Sequence, residues 1–264
     1  MSAEPYACWH EGTDRVVRFF RSADGYRIEF AGVAAFLIRS ADGTVECQPH
    51  PGSGDAWLGL LEQQVQPLLL SMRGEHVLHG GAVAAEGEAI AFLASSGCGK
   101  STLTTAFARR GYAFLSDDCL HLDLTVPEAL VHPHAPYVRL WEDSAGVLGG
   151  GEAAYVAGSP KPRIVAGEGL PHHPEKLPLA RVYLLGTGDV EAPAIHPVSA
   201  SEALIGLTAN AFVLDIKDPA VLKRNLQAHA RLVREVPVRR LAYPRRYDVL
   251  DSVVDAVLAD VAGG

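Results

Sequence analysis

The segment Ala94-Ser95-Ser96-Gly97-Cys98-Gly99-Lys100-Ser101 sets two glycines, a lysine and a hydroxyl in the spacing G-x-x-x-x-G-K-[ST], the Walker A pattern. Ala94 stands where the pattern has its first glycine, a position that tolerates alanine. Gly97 and Gly99 let the backbone curl until successive N–H groups face one anion. A helix starting near Lys100 would add its positive end and its unpaired N–H groups. Lys100 is a point charge for β and γ phosphates, and the Ser101 hydroxyl suits magnesium. Ser95, Ser96, Gly97, Cys98, Gly99, Lys100, Ser101 and Thr102 are therefore the expected nucleotide-binding residues, with ATP and Mg2+ as the expected cofactors. The alternative is a chance Gly-Lys-Ser at a strand-to-helix turn. The flanking apolar strand Ala89–Leu93 and the amphipathic helix that follows weigh against it.

Asp117 and Asp118 close the next apolar run, Tyr112–Leu115. Neighbouring side chains diverge at a strand end, so one carboxylate can face a metal while the other takes a proton from an attacking hydroxyl. Such a base contributes roughly 10²–10⁴-fold in rate. An Asp pair after a strand also serves as a simple turn or N-cap.

These residues need elements to carry them. Leu78–Ala85 and Glu88–Leu93 read as two strands joined by the turn Glu86-Gly87, which requires antiparallel pairing. A helix follows over Lys100–Arg110, closed by Gly111. Tyr137–Trp141, Arg181–Leu185 and Val238–Tyr243 read as further strands, and Ala200–Ala209, Pro219–Glu235 and Tyr247–Ala262 as helices. Residues 143–178, rich in Gly, Pro and charge, read as a long connection. Upstream, Arg15–Arg21 with Tyr26–Phe30, and Val33–Ile38 with Thr44–Gln48, flank Asp-Gly turns and read as hairpins. Ala56–Leu70 reads as one helix. The expected fold is α/β: a nucleotide-binding core with a mixed sheet over 73–264, and a small β-rich module with one helix over 1–72.

Only sixteen residues lie between Lys100 and Asp117. That short spacing resembles the HPr kinase/phosphorylase family, which modifies a serine on a small carrier protein. The resemblance runs through Leu78-His79-Gly80, the strand pair, Ser96–Ser101, Arg110-Gly111-Tyr112 and Ser116-Asp117-Asp118. The family's second signature, Glu-x-Arg-Gly, is absent. The nearest segment, Tyr137–Trp141, keeps only the arginine, so phosphorylase activity is left open. The chain looks more like the shorter HPr-kinase-related proteins, some of which act on lasso-type precursor peptides. The supporting segments are Leu78–Val83, Val138–Trp141, Pro178–Arg181 and Leu241–Tyr247.

The resemblance implies a serine kinase whose partner is a peptide or small protein bearing a serine, and it admits a homo-oligomer. Two other readings stay open: a kinase of a small molecule such as free serine or a sugar, and a nucleotide-gated regulatory protein with little turnover. By resemblance Asp117 is the general base and Asp118 the magnesium ligand beside Ser101, though the two can exchange. His79 either approaches the phosphates or starts a strand. Arg139 either clamps the γ-phosphate or lies on the surface. Lys161 and Arg163 either belong to a closing lid or to a solvated loop.

His132, His134, His172 and His173 lack partners at ligand spacing and are not read as a metal site. Arg239, Arg240, Arg245 and Arg246 form a basic cluster that either receives an acidic peptide or flanks a strand. The rest of the composition is ordinary. Of 264 residues, 48% are hydrophobic and 20% charged, enough for a buried core. A net charge of −8 argues against a nucleic-acid partner. No apolar run reaches the ~18 residues of a membrane span, and no signal-peptide core opens the chain. Four cysteines without C-x-x-C spacing suit a reducing compartment. The expectation is a cytoplasmic protein without a membrane or nucleic-acid partner.

Overall fold

Alternating apolar and polar residues make a strand with one buried face, and residues 15–39 do this repeatedly. The computed structural model describes residues 4–11, 15–95, 97–148, 153–155, 161–186 and 188–263. It divides near residue 70 into two compact units. In the first, β1 (Ala7–Glu11), β2 (Arg15–Ser22), β3 (Gly25–Phe30), β4 (Ala34–Arg39) and β5 (Val45–Pro49) form an antiparallel sheet in sequence order. The register sets Phe19 opposite Ile28, and Ile28 opposite Phe36. All three are buried, together with Val17, Phe30 and Ile38. The expected helix follows as α1 (Ala56–Leu60), a π-helical turn over Leu61–Val65, and α2 (Gln66–Met72).

The second unit is a mixed sheet covered on both faces. The strand expected over Leu78–Ala85 is broken at His79 into β6 (His76–Leu78) and β7 (Gly80–Ala85). The His79 N–H leaves the ladder to bond the Asn210 carbonyl at 2.6 Å. β7 pairs antiparallel with β8 (Glu88–Leu93) across the Glu86-Gly87 turn. Both turn residues have positive φ (54° and 84°), which matches the twist of a two-residue hairpin. Then come α3 (Lys100–Arg109), β9 (Phe114–Ser116), β10 (Leu120–Asp123), β11 (Leu130–Val131) and β12 (Tyr137–Arg139).

The segment expected to be a connection holds α4 (Glu142–Leu148), β13 (Ala153–Ala154) and β14 (Arg163–Val165). β12, β14 and β13 make a small separate sheet. Its strands are two or three residues long, so no period-two pattern could announce them in the sequence.

β15 (Leu177–Leu185) organises the main sheet. Its start pairs with β11, and its later residues run parallel to β8 on one side. On the other side it runs parallel to β17 (Val238–Ala242), which also pairs with β16 (Ala194–Pro197). α5 (Ala200–Ala209) begins in a capping box on Ser199 and Glu202, and α6 (Pro219–Glu235) on Asp218 and Pro219. α7 (Leu250–Ala262) follows a 3-10 turn at Tyr247–Val249.

The alternation along β8 explains the layers. Ile90 and Phe92 join Leu103, Phe107, Val253 and Val257 in the core under α3 and α7. Ala89, Ala91 and Leu93 join Ala203, Leu207 and Leu232 in the core under α5 and α6. With both faces covered, β8 is buried almost throughout, and its C-terminal end is aimed rigidly into the loop before α3.

Candidate active site

Loop 94–99 joins the end of β8 to α3, and it needs a left-handed backbone. Gly97 and Gly99 sit at φ 81° and 85°, where a side chain costs roughly 1–2 kcal/mol. Gly99 is the N-cap of α3, and no side chain caps the helix. The first N–H groups of α3 thus keep their hydrogen-bonding capacity for a ligand. Ser96 lies outside the described residues.

Lys100 is nearly buried, at 4% exposure, yet lines the cavity in front of the loop. Its Nζ donates to the Ala94 carbonyl at 2.7 Å and the Ser95 carbonyl at 3.3 Å. It also lies 3.1 Å from His79 Nε2. Burial, and then the Lys100 charge, depress the His79 pKa, so the ring is neutral. Nε2 therefore accepts from lysine, and Nδ1–H donates to the Asp118 carbonyl at 3.1 Å. The break at His79 thus ties the lysine to the aspartate turn. Burial lowers the Lys100 pKa as well, while Asp118 and Asp117 hold its charge in place.

The two aspartates occupy different environments. Asp118 has φ 66° and lines the cavity. Its Oδ2 accepts from the Arg139 guanidinium. Burial pushes its pKa up, but the charges of Arg139 and Lys161 and the Arg139 hydrogen bond outweigh that and bring it to about 2. Asp117 is partly buried and is not part of the lining. Burial and the Asp118 charge push its pKa up to about 6. The Arg139 main-chain N–H donates to its Oδ2 at 2.8 Å. With the Ser101 hydroxyl, that contact draws the pKa partly back. The Asp117 Oδ1 atom is buried without a hydrogen bond of normal geometry. Arg139 is no surface arginine: its side chain is 13% exposed and it contacts both aspartates.

The cavity measures about 230 Å³, below the usual range of whole small-molecule pockets, roughly 300–1,000 Å³. Gly97, Gly99, Lys100, Ser101, Thr102, Asp118 and Arg139 line one part of it. Lys161 also lines it, with its ammonium 5.1 Å from the Trp141 ring centre. Arg163 lies over Tyr137 at 4.4 Å and is not part of the lining.

The basic cluster divides. Arg239 and Arg240 face Asp260 and Glu202. Arg245 and Arg246 reach the cavity. A β-carbon at Gly99 would lie 2.9 Å from the Tyr243 hydroxyl and 3.0 Å from Arg245 Nη1. Tyr243, Tyr247, Asp143 and Ser144 also line the cavity, and sequence reasoning did not connect them to the loop. The parallel pairing of β8 and β17 on either side of β15 brings the end of β17 to the same end of the sheet as the end of β8. The Arg pair next to two tyrosines was the available signal.

The histidines play other parts. His132 stacks on His121 at 4.0 Å, and His172 meets the Phe114 ring edge. Among the described residues, no group of three or more His, Cys, Asp or Glu side chains is placed to hold a metal ion. Magnesium asks for less, because it takes one or two carboxylates and draws its other ligands from phosphates and water. Ser101 and Asp118, both in the lining, supply hard oxygens of that kind. All four cysteines are free. No described helix is long and apolar enough to cross a membrane.

No protein-family model matches the chain, and no curated protein does. Among solved structures it is similar to the Hpr(Ser) kinase/phosphatase from Coxiella burnetii. The identity is 12%, the coverage 70% of this chain and 98% of that one, and the TM-score 0.37. This is a distant structural relationship.

Proposed function

We propose that the second unit is a phosphotransferase: it binds a magnesium nucleoside triphosphate on loop 94–99 and passes the γ-phosphoryl group to a hydroxyl. One observation carries the reading. A lysine, an uncapped helix N-terminus and a carboxylate held by an arginine all line one cavity, and a second, differently tuned carboxylate is that carboxylate's neighbour in the chain. Adjacent acids with pKa values driven apart are how one site keeps a charge and a proton acceptor side by side.

In this account Gly97, Gly99 and the first N–H groups of α3 receive the phosphate chain. Lys100 exchanges its carbonyl partners for phosphate oxygens, and His79 keeps it aimed. Ser101 and Asp118 would hold magnesium, which when bound neutralises charge on the phosphates. Arg139 faces the γ-phosphate as charge develops there. The acceptor oxygen forms the new P–O bond, the bond to the leaving diphosphate breaks, and the acceptor proton passes to Asp117 Oδ1. Contacts to a base are often loose in an unliganded site and tighten only with substrate.

The acceptor we assign is a serine on a peptide or small protein, including a ribosomal precursor of the lasso type. The support is the sequence resemblance alone. The test is transfer of labelled γ-phosphate by Asp117→Asn. Transfer should fall by about 10²-fold or more while nucleotide binding survives. Normal turnover by that variant would remove Asp117 from the mechanism.

A further inference from the structure

The cavity has one wall that phosphate chemistry does not use. Thr102 Oγ1 lies 3.4 Å from Ser144 Oγ, which lies 3.0 Å from the Tyr247 hydroxyl. Tyr247 donates to Asp143 Oδ2 at 3.0 Å. Because tyrosine gives its proton to the carboxylate, it accepts from Ser144, and Ser144 in turn accepts from Thr102. The relay is polarised toward Asp143. The other carboxylate oxygen, Oδ1, accepts the Ser144 N–H at 2.8 Å. Asp143 is thus fixed through both oxygens, and each still has acceptor capacity.

Asp118 is paired with Arg139 and would take magnesium, so the other carboxylate of the lining, Asp143, is left to meet a part of the ligand that donates. The direction of the chain says which part. Lysine in this kind of loop reaches the β and γ phosphates, while backbone N–H groups cradle the α and β phosphates. Thr102 follows Lys100 and Ser101 on α3 and lines the cavity, and the relay leads from it to Asp143. The next group along a nucleotide is the sugar.

We propose that Asp143, held by Tyr247 and Ser144, is the subsite for the ribose hydroxyls of the nucleoside triphosphate. The assignment rests on the phosphate-loop reading above and adds to it the selection of a nucleoside over a bare polyphosphate. Calorimetric titration of the full chain with magnesium separates the two claims. The probes are ATP, ATP lacking one ribose hydroxyl, and inorganic tripolyphosphate. Asp143→Ala should weaken ATP by about tenfold, one charge-assisted hydrogen bond. Tripolyphosphate should bind as well as before or better. Tyr247→Phe, which keeps the ring, should weaken ATP by a smaller factor. The deoxy nucleotide should bind wild type more weakly than ATP and be insensitive to Asp143→Ala. Equal weakening of ATP and tripolyphosphate, or no change in ATP, would overturn the sugar assignment and leave the loop standing. Failure of wild type to bind either ligand would overturn the loop and the sugar site together.

Discussion

At the scale of single residues, the account turns on two neighbouring carboxylates. Asp117 has its pKa raised from the ordinary 3.8 to about 6 by burial and by Asp118. A base must be deprotonated to act, so kcat should rise with pH through about 6 and then level off. The same shift has a stability sign. A raised folded-state pKa contributes stability that is complete below the unfolded value and lost as pH climbs through about 6. Asp117→Asn should therefore be more resistant to urea than wild type near neutral pH and no more resistant in acid, while transfer is lost. A resistance equal to wild type at every pH would show that the carboxylate is not strained by burial. Asp118 has the opposite sign: its contribution is present above 3.8 and fades as pH falls toward about 2. Asp118→Asn should raise the magnesium concentration needed for half-maximal rate, and Asp117→Asn should leave it unchanged. The reverse pattern would exchange the two roles.

At the scale of elements, loop 94–99 works because β8 is locked between two cores and α3 starts without a side-chain cap. Gly99→Ala forces a β-carbon against Tyr243 and Arg245 in a left-handed backbone. ATP binding should weaken by about tenfold or more, as measured by titration. Retained affinity would mean that the loop reshapes freely. This part of the site was legible in the sequence because it is local. Strand, glycines, lysine and helix follow one another between Glu88 and Arg109, and the Asp117-Asp118 turn comes one strand later. The wall formed by Asp143, Ser144, Tyr243, Arg245 and Tyr247 was not legible. It depends on β15 running parallel to both β8 and β17, a pairing that no local pattern specifies. Residues 143–178 looked like a connection because their strands are too short to show a period and their glycines and prolines dominate. The break at His79 was hidden for a similar reason: Asn210, which takes its N–H, is far away in sequence.

At the scale of the whole molecule, every residue lining the cavity belongs to the second unit, Leu70–Tyr155 and Lys161–Gly264. The first unit brings a five-stranded antiparallel sheet of its own, and a role for it in acceptor docking is a proposal that deletion tests. Removing residues 1–65, which keeps α2, should leave nucleotide binding intact and reduce peptide phosphorylation far more than basal ATP hydrolysis. Equal loss of both would count against docking. The central claim is transfer from nucleotide to hydroxyl. Mass spectrometry tests it most directly, on the purified chain with magnesium-ATP and a panel of serine peptides, a carrier protein and free serine. One added phosphate is expected on a serine-bearing peptide or protein, lost in Lys100→Ala. ATP binding with no phosphorylated product across the panel, or a product that persists in Lys100→Ala, would contradict it.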